Sequence, residues 1–145
     1  MIKMAITCSR RLQFCSGHRV MNHESKCSNP HGHNYVVWIH AQSEGLDALG
    51  RVIDFSVLKQ KLGSWIDENW DHTFIAYEED VELIRDLEKH HKNKPIWIAP
   101  FNPTAENMAD WLLRSVAPMV LKDSGIEVYH IELFETENCK ADAKL

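Results

Sequence analysis

His18-Arg19-Val20-Met21-Asn22-His23-Glu24-Ser25-Lys26-Cys27-Ser28-Asn29-Pro30-His31-Gly32-His33 is the stretch from which the rest of the chain is best read. His31 and His33 are separated by one glycine. On a β-strand, residues i and i+2 point to the same face, so both imidazoles leave that face together. His18, across a polar loop of hairpin size, supplies a third. Three imidazoles fill three positions of a tetrahedral zinc shell and leave the fourth open, which distinguishes a catalytic zinc from a structural one. One histidine alone is usually a packing or surface residue. Three at strand spacing read as ligands, and an all-imidazole set suits zinc best, ahead of iron, nickel or copper.

Cys27 admits two roles. As a fourth ligand it would close the shell into a structural zinc. As a thiolate beside the metal, favoured by the cation and by Lys26, it would be a nucleophile or base. The spacing leaves both open.

Working outward, residues 3–16 read as a strand, followed by a polar loop from Arg19 to Pro30. Residues 33–42 (His-Asn-Tyr-Val-Val-Trp-Ile-His-Ala-Gln) are rich in β-branched and aromatic side chains and read as a second strand. Residues 45–50 read as a turn. Apolar residues at 55, 58, 62, 65, 66 and 70 have helical spacing, with Asp54 or Ser56 as cap. Residues 79–91 read as a short polar helix, and 94–100 as a short extended segment. Thr104 is a candidate N-cap for a helix with the stripe Met108, Trp111, Leu112 and Val116, which Pro118 should end or kink. Residues 127–136 alternate as a strand, and the last nine pair as a short strand or fray. The pattern is ββααββ: an α+β fold, with an antiparallel sheet carrying helices on one face. Trp38, Trp65, Trp111 and Tyr129 read as core.

The chain has 145 residues, enough for one domain spanning 1–145. Its formal net charge of -5 argues against general nucleic-acid binding, which needs a basic surface. No run approaches a membrane span, and the N-terminus lacks a signal-peptide core. The four cysteines show no disulfide or CxxC spacing, so they read as reduced thiols in the cytoplasm, with Cys8 and Cys15 as small packing residues in the first strand. Asp71-His72 could be loop residues; beside a metal they form an acid–base pair. Glu135, alone, is a strand end, and Glu106 sits in a first helical turn, where a carboxylate meets the helix dipole. His90-His91-Lys92 reads as a solvated helix end.

Taken together, Phe14-Cys-Ser-Gly-His18-Arg19, Cys27-Ser-Asn-Pro-His31-Gly-His33-Asn-Tyr35, Val52-Ile-Asp54-Phe-Ser-Val-Leu-Lys59, Trp70-Asp71-His72, Pro103-Thr-Ala-Glu106-Asn and Phe134-Glu135-Thr136 resemble the 6-pyruvoyl-tetrahydropterin synthase family, in the family's order and over nearly the whole chain. The three residues between Cys27 and His31 resemble its bacterial branch, the 6-carboxy-5,6,7,8-tetrahydropterin synthases of the queuosine pathway. The resemblance implies the tunnelling fold (T-fold), a homohexamer built as a dimer of trimers, and active sites at subunit interfaces. It implies a lyase that converts 7,8-dihydroneopterin triphosphate to 6-carboxy-tetrahydropterin, acetaldehyde and triphosphate. By the same resemblance, His18, His31 and His33 hold zinc, Cys27, Asp71 and His72 move protons, and Glu135 holds the pterin. Glu106 assists at the pocket edge, and Lys26 and Arg19 meet the triphosphate. A longer insert at about 85–100 and a short, polar final strand depart from the family pattern without touching the site motifs. Two rivals remain at this level: a pyruvoyl-forming synthase acting on the same substrate, and a non-catalytic zinc-stabilised binding module.

Overall fold

Two long strands carry the three histidines. β1 (Cys8–His18) and β2 (His31–Ser43) pair antiparallel from Cys8 opposite Ala41 to His18 opposite His31. Alternation divides their side chains between two faces: Phe14, Ser16, His18, Tyr35, Val37 and Ile39 are buried, while Arg11, Gln13, Cys15 and Asn34 are exposed. Cys15 is therefore not the packing residue expected. The computed structural model describes residues 6–145, so the start of the strand read over 3–16 lies outside the described residues.

β5 (Ile126–Thr136) pairs antiparallel with β2, and β6 (Cys139–Lys144) with β5, so the C-terminal residues pair rather than fray. On the other side of β1 the sheet changes sense. β3 (Thr73–Tyr77) runs parallel to β1, and β4 (Trp97–Ala99) parallel to β3, giving the order β4-β3-β1-β2-β5-β6. The expected antiparallel sheet thus holds for four strands and becomes mixed at one edge. β3 is short and buried from Thr73 to Ala76 without alternation. Strands covered on both faces lose the period-2 signal, so this one escaped the pattern. Set aside those two short strands and the short helix between them, count the interrupted last helix as one, and the ββααββ order stands.

The helices that build the main core lie on one face, and only at the β3 edge does a short helix cover the other, with Leu83, Ile84 and Leu87 against Phe74 and Ala76. α1 (Phe55–Asn69) starts at Asp54, whose carboxylate accepts the Ser56 N–H, and it buries Leu58, Leu62 and Ile66. α2 (Val81–Glu88) is the short polar helix. α3 (Ala105–Trp111) starts at Thr104, whose hydroxyl accepts the Asn107 N–H, as expected. Pro118 does not end this helix. A π turn (Leu112–Val116), closed by a bond from the Ala117 N–H to the Leu112 carbonyl, leads into α4 (Ala117–Val120). Pro118 then falls in the first turn of α4, directly after the π turn, which shifts the bonding pattern where the proline has no N–H to donate.

The core joins Phe14, Tyr35, Val37 and Ile39 of the sheet to Leu58, Leu62, Met108, Leu112 and Val116 of the helices. Trp65 and Trp111 pack against it, as expected, in an aromatic group with Trp70 and Trp97. Trp38 and Tyr129 are corrections: both are only half-buried, and the register places Trp38 on the helix-free face with Arg11 and Glu132. No helix among the described residues is long and apolar enough to cross a membrane.

Gly17, next to His18, is held to glycine by space. A Cβ there would lie 2.7 Å from the Phe74 ring. Gly17→Ala is expected to destabilise the fold by about 1–3 kcal/mol, read by urea unfolding at fixed protein concentration. Adding Phe74→Leu should recover part of the loss.

Candidate active site

The β1–β2 register brings the three histidines to one point. His18 and His31 are directly opposite, and His33 follows on the same face. The ring centroids are 4.7 Å (His18–His31), 5.1 Å (His18–His33) and 4.9 Å (His31–His33) apart. One nitrogen from each ring lies within 4.8 Å of the others. Nδ1 of His18 lies 2.6 Å from the Pro103 carbonyl, and Nδ1 of His31 lies 2.6 Å from the Asn29 carbonyl. A carbonyl oxygen can only accept, so each Nδ1 carries the hydrogen and donates it. In the neutral rings Nε2 is then left with a free lone pair.

Nε2 of His18 and Nε2 of His33 are both buried without a hydrogen-bond partner. His33 Nε2 does lie 3.2 Å from a Glu135 carboxylate oxygen, in charge contact but without hydrogen-bonding alignment. An unpartnered buried polar atom costs about 1–3 kcal/mol. Such atoms converging beside a third imidazole are what a divalent cation requires, and a carbonyl on the opposite ring nitrogen is the usual support of a metal-bound histidine. The residues present therefore fit zinc. Burial pushes the His18 imidazolium down to about 4, the Pro103 carbonyl opposing and the other two histidines reinforcing. Burial likewise lowers His33, against the pull of Glu135. Both rings are neutral at pH 7.

The Asp71-His72 turn is built onto β1. The Cys15 N–H donates to Asp71 Oδ1 (2.9 Å), the His72 N–H donates to the Cys15 carbonyl (2.7 Å), and His72 Nδ1 meets Asp71 Oδ2 at 2.7 Å. Burial opposes charge on Asp71, but the Cys15 N–H, the His72 ring and Lys94 together hold its carboxyl below the ordinary value. His72 has a positive φ of 57°, a backbone strain of the kind that concentrates at functional positions. Its side chain is 77% exposed. Lys94 bonds the Asp67 and Asp71 carbonyls. The insert therefore does reach a site motif, contrary to expectation, because a long amine finds the open carbonyls at the end of α1.

His31, His33 and His72 line one open cleft of about 580 Å³ with Cys15, Gly17 and Phe74. The other residues read from the sequence are more dispersed. Cys27 is half-buried in a 3-10 turn (Lys26–Ser28), its carbonyl accepting the Val20 N–H, and among the described residues no hydrogen bond joins it to His72. Lys26 is exposed beside it. Arg19 is not a free anion site: its guanidinium makes a two-pronged pair with the buried Asp80. Glu106 is exposed on the first turn of α3. Sequence reasoning missed three contributors. The Pro103 and Asn29 carbonyls orient the ligand rings, and a backbone oxygen has no residue signature. Tyr35, edge-on to the His18 and His33 rings, has a buried hydroxyl without a partner, and its alternation marked it only as strand. Burial first, then Glu135, raises its phenol above the ordinary value.

The chain is similar to known proteins in both sequence and fold. The profile of the 6-pyruvoyl tetrahydropterin synthase family matches residues 7–144, and the chain belongs to that family. A Rickettsia bellii protein named 6-carboxy-5,6,7,8-tetrahydropterin synthase is 40% identical over 92% of this chain and 96% of its own length. A Helicobacter pylori protein of the same name is 33% identical over 94% of this chain and 72% of its own length. Among solved structures, an uncharacterized Wolinella succinogenes protein superposes with a TM-score of 0.80 at 24% identity, covering 96% of this chain and 97% of that one. The Caenorhabditis elegans 6-pyruvoyl tetrahydropterin synthase superposes with a TM-score of 0.67 at 24% identity, covering 100% and 99%. The fold is the T-fold of these synthases.

Because the folded His18 binds its proton less tightly than an unfolded one, acid favours the unfolded chain. Its share of stability is complete above about pH 6.5 and is lost as pH falls towards about 4. Urea unfolding of metal-free protein should lose roughly 3 kcal/mol across that window. His18→Gln should flatten the profile; an unchanged slope in the variant contradicts the burial argument.

Proposed function

We propose that the chain is a zinc-dependent carbon–carbon lyase that converts 7,8-dihydroneopterin triphosphate and water to 6-carboxy-5,6,7,8-tetrahydropterin, acetaldehyde and triphosphate, a step of queuosine biosynthesis. The observation that carries the reading is the convergence of one ring nitrogen each from His18, His31 and His33, with Nε2 of His18 and of His33 buried and unpartnered, beside a cleft that His72 shares. The names of the 40%-identical relatives support the choice of product.

Bound by the three histidines, zinc would supply Lewis acidity towards the substrate's side-chain hydroxyls. The protein's own groups do the rest. Asp71 holds His72 Nδ1, so the ring's other nitrogen is free to take and return hydroxyl protons. The Cys27 thiolate removes a proton from the side-chain carbon. Glu135, half-buried and next to His33, accepts hydrogen bonds from the pterin amino group and ring N–H. Glu106 assists from the edge of the pocket, and Lys26 meets the triphosphate. The exposure of His72 and the dispersal of Cys27 fit a site completed by a neighbouring subunit, in a homohexamer of two trimers, each chain one domain. A thiolate base needs reducing conditions, which fits the cytoplasm.

The test is incubation of the zinc-loaded protein with 7,8-dihydroneopterin triphosphate, with mass analysis of the pterin and an acetaldehyde assay. Carboxy-pterin plus acetaldehyde is expected. Pyruvoyl-pterin without acetaldehyde overturns the branch, and no turnover at one zinc per chain overturns the enzyme. Cys27→Ala should keep its zinc and lose about 10²–10⁴-fold in kcat. Loss of zinc and stability together would instead make Cys27 a fourth ligand of a binding module.

A further inference from the structure

The helix-free face of the sheet carries a second convergence of ligand-type side chains, unrelated to the first. His40 of β2 and His130 of β5 are register partners, and their rings stack at 4.5 Å with 17° between planes. The β2–β5 register shifts immediately after this pair, at a bulge between His40 and Ala41. Bulges re-aim side chains at functional positions. One ligand atom from each of His40, His130 and Glu132 lies within 4.8 Å of the others. Nε2 of His40 is 2.5 Å from Glu132, and Nε2 of His130 is 2.7 Å from Asp142 of β6. His40 Nδ1 meets the Ser9 hydroxyl at 2.6 Å. A support on the opposite ring nitrogen is what orients a metal-binding imidazole. Lys140 lies against both carboxylates, bonding Glu132 and, at 3.2 Å, Asp142.

We propose that His40, His130, Glu132 and Asp142 form a second, structural site for a divalent transition metal of the zinc, cobalt or nickel class. His40, His130 and Glu132 already converge, and Asp142, held on His130 Nε2 and outside that trio, would swing in as the fourth donor. Two imidazoles and two carboxylates would then close the shell, the mark of a structural site. The ligands come from three adjacent strands, so the ion fastens β2 and the short β6 to β5. Metal–ligand bonds of about 2.0–2.2 Å place tetrahedral donors roughly 3.3 Å apart, so the ring–carboxylate pairs open by less than an ångström to admit it. Without metal, Lys140 balances the two carboxylates; with metal, its ammonium is displaced. Lys140 therefore competes with the ion, and its removal tightens the site.

Zinc titration of the chelator-treated full chain, followed by equilibrium dialysis and metal analysis, tests this. Wild type is expected to hold two equivalents per chain, His40→Gln/His130→Gln one, and His18→Gln/His31→Gln also one. Equal stoichiometry in wild type and His40→Gln/His130→Gln overturns the site, whatever happens at the first centre. Lys140→Met keeps the test decisive if the double variant does not fold: affinity for the second equivalent should rise about tenfold. Unchanged affinity in that variant shows that the carboxylates bind protons and lysine only, and overturns the proposal.

Discussion

The structure turns on the direct pairing of His18 with His31 across two antiparallel strands, with His33 one step along the same face. The register makes this cluster, because a slip of one residue would send His31 and His33 to the opposite side of the sheet. Alternation then decides everything nearby. The residues that continue these strands on the ligand face, Phe14 and Tyr35, are buried and stacked with centroids 4.8 Å apart. The centre therefore rests on packed aromatic rings rather than on a loop. Gly17 and Gly32 are opposite each other in the same register, and the ring of Phe74 fills the space that a side chain at Gly17 would need.

Orientation comes from the backbone. The Pro103 and Asn29 carbonyls select the tautomer of two rings and leave their Nε2 lone pairs aimed at a common point. Pro103 lies just before the Thr104 cap of α3, so helix placement and ligand placement are one constraint. Asp71 and His72 are tied in the same way, through backbone bonds to Cys15 of β1 and through Lys94 to the end of α1. Three converging imidazoles, His18 buried and the other two half-buried, beside an acid–base pair with an exposed His72 are suited to Lewis-acid chemistry coupled to proton transfer.

Much of this was legible in the sequence, for particular reasons. His31-Gly32-His33 has strand period, and its β-branched and aromatic continuation identifies the strand. Asp54 and Thr104 sit where helix caps belong, and both cap. β3 was illegible because Thr73 to Ala76, four successive buried residues, show no alternation. The π turn was illegible because the proline looked like a stop and nothing local announces an i to i−5 bond. Lys26 and Arg19 looked alike as cations for an anionic ligand. The fold separates them, since Arg19 pairs with the buried Asp80 sixty-one residues away, which no local pattern reveals. The Glu135–His33 contact likewise depends on β5 lying next to β2.

The central claim is that the three imidazole lone pairs, and not the Cys27 sulfur, form the zinc shell. X-ray absorption at the zinc edge, on protein loaded with one equivalent, tests it most directly. Nitrogen and oxygen neighbours alone at about 2.0–2.1 Å, with the multiple-scattering pattern of three imidazoles, are predicted. A sulfur neighbour at about 2.3 Å would contradict the claim, placing Cys27 on the metal and closing the position that the chemistry needs.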